Sequence, residues 1–172
     1  MIGFLGNLFG KKYTIGDLMN VDQGRQSRAQ GCKVSLLDTF FIMKEETLAQ
    51  KFRALFSSQN KLKVFYIVLK LSVTSDTGHT HTVFIQIEPD FSLSNYTDNQ
   101  VKLYCDCQDF KYRSAYTLKK RDSLFANDLI KIKLGEALTK TPTKQSTTPL
   151  CKHCYAALEW LLQNYESIMR TL

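Results

Sequence analysis

Two tight clusters, Cys105-Asp106-Cys107 and Cys151-Lys152-His153-Cys154, constrain this chain more than anything else in it. They contain four of its five cysteines and one of its three histidines. Thiolate and imidazole suit Zn²⁺, which closes a tetrahedron with sulfur at about 2.3 Å and nitrogen at about 2.0 Å. Buried core thiols are the plain alternative, but they have no reason to occur in two close pairs with a histidine inside one of them. The first pair ends the alternating run Val101-Lys102-Leu103-Tyr104, a strand whose period of two directs both sulfurs to one side. The second stands just before an apolar helical pattern, so two further ligands from it would tie helix to sheet. Four such ligands leave no position for water or substrate, which makes a structural site the expectation.

Cys-x-Cys followed downstream by Cys-x-His and an apolar helix resembles the SWIM-type zinc finger, with the signature falling on Cys105, Cys107, Cys151 and His153. The resemblance covers residues 101 to about 165. It implies a short hairpin with a helix packed on it, a bound zinc ion, and a role in binding DNA or protein. Two features depart from the family: the pairs lie far apart, which implies an insertion over residues 108–150, and Cys154 stands where an apolar residue is usual. Cys151 and Cys154 also form a Cys-x-x-Cys knuckle, so Cys154 is the alternative to His153 as fourth ligand. The run Cys-Asp-Cys-Gln-Asp-Phe followed by Lys111, Tyr112 and Arg113 is similar to small SWIM-like proteins encoded among the structural genes of tailed bacteriophages. That likeness implies a virion protein made in the host cytoplasm, with other virion or assembly proteins as partners.

At 172 residues, with 44% hydrophobic and 23% charged residues, the chain has the size and composition of one globular domain. No stretch of about 18 apolar residues occurs, so no membrane span is expected. The start, Met1 to Gly10, lacks the layout of a secretory signal, and synthesis in a reducing compartment is expected, where paired cysteines bind metal rather than each other.

Hydrophobic periodicity then sketches the fold. Ile2, Phe4, Leu5, Leu8 and Phe9 outline a short N-terminal helix, and Tyr13 to Gln30 reads as a connector with a helical turn near Asp17. Leu36, Leu37, Phe40 and Phe41 begin an apolar stretch whose second half, Glu45 to Ser57, has helical spacing. Val64 to Thr74 reads as a strand buried on both faces, and His81 to Glu88 as its hairpin partner, stopped by Pro89. Residues 139–149 form a polar, proline-broken loop, and Tyr155 to Leu172 an amphipathic helix. The expected fold is α+β: an antiparallel sheet of three or more strands, a C-terminal helix packed on it through a zinc knuckle, and an N-terminal helical extension. Residues 1–30 are the extension and linker, and 31–172 a single zinc-binding domain.

Lys and Arg exceed Asp and Glu by 23 to 16, a balance that favours anionic partners. Within the insertion, Lys111, Arg113, Lys119, Lys120 and Arg121 interleave with Tyr112 and Tyr116, as a surface that neutralises phosphates and stacks bases would. The same spacing also describes tyrosines packed inward under lysine and arginine stems. Asp109 stands where it could cap a helix, and Phe110 and Leu118 read as core. His79, His81 and Cys32 carry no assignment. With no glycine-rich phosphate loop, serine elbow or His-Glu metalloprotease pattern, an enzyme is not expected. The expected role is a zinc-stabilised assembly protein, with a DNA- or RNA-binding module as the alternative.

Overall fold

The computed structural model describes residues 12–21, 23–47, 61–89, 95–139 and 149–171. Helices α1 (Ile15–Val21) and α2 (Gln23–Ala29) lead into a four-stranded antiparallel meander. Its strands are β1 (Lys33–Thr47), β2 (Lys61–Thr74), β3 (Thr80–Glu88) and β4 (Gln100–Cys105), adjacent in chain order. A π-helical turn (Phe110–Ser114) runs into α3 (Ala115–Lys120), followed by α4 (Asp128–Leu134) and the long α5 (Lys152–Thr171). The α+β class, the antiparallel sheet, the N-terminal helical part and the C-terminal helix are as the sequence predicts.

Strand parity sorts the core. The register aligns Leu71 with Val83 and Val83 with Cys105, so Ile67, Leu69, Leu71, Val83, Ile85, Ile87, Val101 and Leu103 share one face, all of them buried. Helix α5 lies against all four strands and buries Leu158 and Leu161, with Leu162, Tyr165, Ile168 and Met169 packed around them. Over β3 and β4 the opposite face is covered by the insertion. Phe84 stacks on Phe125 at 5.2 Å, and Tyr104 meets Phe110 edge-on at 5.6 Å. With cover on both faces, β2 buries Tyr66, Ile67, Val68 and Leu69 in succession, which is why its sequence is apolar at consecutive positions.

Several expectations need correction. The stretch 13–30 is not a connector: it forms α1 and α2, and Ile15, Leu18 and Ala29 enter the core. Its start is a reciprocal cap, with the Asp17 amide donating to Thr14 Oγ1 and the Thr14 amide donating to Asp17 Oδ2, both at 3.0 Å. Residues 33–47 form a strand, so Glu45 to Thr47 belong to β1 rather than to a helix. The remainder of that predicted helix, 48–57, lies outside the described residues, as do the N-terminal helix over 2–9 and most of the 139–149 loop. Asp109 does not cap a helix; its carboxylate pairs with Arg113 at 3.0 Å.

Candidate metal centre

Cys105 is the last residue of β4, paired with Val83, and faces the α5 side of the sheet. Asp106 prolongs the pairing for one step, its amide donating to the Thr82 carbonyl at 3.2 Å. The chain then turns into helix at Gln108, so Cys107 stands just before a helix start rather than on the strand. Period-two geometry therefore does not extend to Cys107; this turn carries its sulfur inward. Cys151 likewise immediately precedes α5, and His153 lies in that helix's first turn. The ligand atoms of Cys105, Cys107, Cys151 and His153 all lie within 4.8 Å of one another, and all four residues are buried.

Tetrahedral zinc geometry separates neighbouring sulfur and nitrogen ligands by about 3.6 Å. Cys105 Sγ lies 3.9 Å from Nδ1 of His153, close to that spacing. The other imidazole nitrogen, Nε2, is buried with no hydrogen-bond partner. Two backbone amides point at sulfur: Phe110 N–H donates to Cys107 Sγ at 3.3 Å and Cys154 N–H to Cys151 Sγ at 3.4 Å. Such donors, placed at helix starts, favour the thiolate form that a metal requires. The donor set, its spacing and its closure from solvent fit a metal ion with four protein ligands.

These buried groups shift one another's protonation. Burial drives the Cys105 thiol well above its ordinary range. Burial works against charge on Cys151 as well, yet hydrogen bonds from Cys105 and Cys107 hold it low. Burial also opposes a charged His153, but its contacts with Cys107 and Cys151 prevail and raise it to about 9. A proton on the imidazole thus balances thiolate charge where a metal ion could do so for the whole group. Cys154 is fully buried and close enough to bond with Cys105 and Cys151, which draw it down to about 6 against the effect of burial. It falls outside the mutually close group of four.

Two surrounding residues, Asp106 and His81, were given no role from the sequence. Asp106 Oδ1 accepts hydrogen bonds from the Thr82 amide at 3.2 Å and from His81 Nδ1 at 3.0 Å, and the His81 ring packs on His153 with centroids 4.3 Å apart. His81 shares strand parity with buried Val83, Ile85 and Ile87, and that is the signal that could have found it. On the other side, Lys152 reaches Asp76 in the β2–β3 turn at 3.1 Å and pins the start of α5 to the sheet. Cys32 is half-buried, and burial raises its thiol.

Lys111, Arg113, Lys119, Lys120 and Arg121 each have a local partner. Arg113 is held by Asp109, Lys119 donates to the Leu138 carbonyl at 3.2 Å, and Lys111, Lys120 and Arg121 lie over the rings of Tyr112, Tyr116 and Tyr13. Tyr112 is exposed and Tyr116 half-buried, so the inward-packed tyrosine pair is not formed either. Phe110 and Leu118 are fully buried, as expected. Among the described residues, no helix is long and apolar enough to cross a membrane. Compared with models of known families, with curated proteins and with solved structures, the chain gives no match.

Proposed function

We propose that this chain is a zinc-stapled assembly protein, a virion component of the tailed-bacteriophage type, whose work is contact with other proteins rather than catalysis. The observation that carries the reading is closure: four soft and borderline ligands converge in a buried site, which leaves a bound ion no face for water or substrate. The ion ties the end of β4 to the start of α5, two segments far apart in the chain, and so acts on the fold. Thiolate-rich tetrahedral sites select zinc among the common divalent ions. The resemblance of Cys105, Cys107, Cys151 and His153 to the SWIM pattern supports the same metal and a binding role. Protein contact is favoured over nucleic acid because Arg113, Lys119 and Lys120 are engaged locally, whereas large apolar residues stand exposed on β1.

The test is metal content by mass spectrometry on protein purified without chelator, with thermal melts before and after chelation. One zinc per chain and a cooperative melt lost on chelation are expected. Absence of metal would sink the reading. X-ray absorption should give three sulfurs and one nitrogen; three protein ligands and a water would turn the reading toward an enzyme. A salt-sensitive affinity for DNA or RNA would instead favour a nucleic-acid module.

A further inference from the structure

The two edges of the sheet are treated differently. The β4 edge is covered twice: Val101 N–H donates to the Tyr13 carbonyl at 3.1 Å, and the Leu103 backbone bonds to Ser123 and Phe125 at 2.9 Å each. At the other edge, among the described residues, β1 pairs with β2 alone. Both faces of β1 are apolar and exposed, with Leu37 at 55% and Met43 at 68%, beside Phe40 and Phe41. A long apolar edge strand with unpaired backbone groups is a template for another strand.

The sequence of that edge is self-complementary. After the bulge at Leu36/Asp38, the register with β2 runs unbroken through Asp38-Thr39-Phe40-Phe41-Ile42-Met43-Lys44. Antiparallel pairing of two such strands about Phe41 sets Asp38 of each copy opposite Lys44 of the other, at both ends of an apolar run. Parallel pairing in register would set Asp38 against Asp38, which is unfavourable. Opposite charges at positions symmetric about one residue are what a two-fold, isologous contact needs. The same axis would bring together two grooves of about 370 Å³, each lined by Leu36, Phe41, Trp160 and Ile168.

We propose that β1 is a homodimer interface, in which two chains pair antiparallel about Phe41 to form one continuous eight-stranded sheet. The inference names a partner for the assembly role proposed above and rests on that reading. It is tested by sedimentation equilibrium of the full chain, which reads self-association apart from metal content. The wild type should be dimeric. Asp38→Lys and Lys44→Asp should each dimerise at least about tenfold more weakly, because each turns both cross-strand charge pairs from attractive to repulsive. An equimolar mixture of the two variants should form a heterodimer, since every pair across the interface is then opposite in charge. A wild type that is monomeric at all concentrations, or a dimer indifferent to both charge changes, overturns the proposal. If neither charge variant folds, Phe41→Cys decides: mild oxidation should give a covalent dimer linked through position 41, mapped by peptide mass spectrometry, and its failure overturns the pairing. A monomer that still holds zinc and melts on chelation would sink this interface and leave the zinc staple standing.

Discussion

At the scale of single residues, the metal centre separates ligands from neighbours that resemble them. Cys105 sits among the buried sulfurs with its thiol driven up by burial, and only a cation makes its thiolate acceptable there. Cys105→Ser should therefore lose the metal and the cooperative melt together, as calorimetry with metal analysis would register. Cys154 lies beside the group of four, so Cys154→Ser should keep one metal per chain, at a stability cost of about 1–3 kcal/mol for a hydroxyl in a thiol's buried place. His153→Ala should lose the metal. The opposite pattern would make Cys154 the fourth ligand. Asp106 bonds to His81 and the Thr82 amide and would act on a bound ion only through them; Asp106→Ala should retain the metal but bind it about 10–100-fold more weakly in chelator competition.

At the scale of elements, the boundaries are set by side chains that satisfy backbone groups. Thr14 and Asp17 cap each other at the start of α1, and Thr14→Ala should cost about 1 kcal/mol in denaturant unfolding. That Thr-x-x-Asp box was readable in the sequence, yet glycine and polar residues around it gave the stretch the look of a linker. The strand of β1 was harder to find, because Phe40 and Phe41 stand adjacent and a bulge breaks the alternation on which strand recognition depends. The start of α5 is held by Lys152, whose hydrogen bond keeps the Asp76 carboxyl below its ordinary 3.8. Since that value is lowered in the folded chain, the stabilising contribution is present above 3.8 and is lost as pH falls through the lowered value. The difference in melting temperature between wild type and Asp76→Asn should accordingly be open at neutral pH and close in strong acid.

At the scale of the molecule, a metal ion held by the four clustered residues would join layers that lie far apart along the chain. Helix α5 lies across all four strands while the insertion covers the other face over β3 and β4, and the four clustered residues stand where strand, insertion and helix meet. The fold should therefore respond as a unit to metal and hardly at all to surface charge. Chelation should lower the melting temperature of the whole domain in a single transition, whereas Lys119→Ala with Lys120→Ala should leave it within about 0.5 kcal/mol of wild type. Circular dichroism melts of the two preparations would check both outcomes.

The sequence by itself determined the elements whose signals are local. The close pairs Cys105/Cys107 and Cys151/His153, each taken singly, the two-faced burial of β2, the hairpin to β3 and the apolar stripe of α5 all follow from residues near one another in the chain. Tertiary structure alone decided where those elements meet. It placed His81 over His153, carried Ile15 and Leu18 into the core, gave Arg113, Lys119 and Lys120 local partners, and left β1 at the edge of the described sheet. The physical reason is that these outcomes depend on which surfaces are already covered. Periodicity states that a face is apolar, but packing between distant segments determines what lies against it.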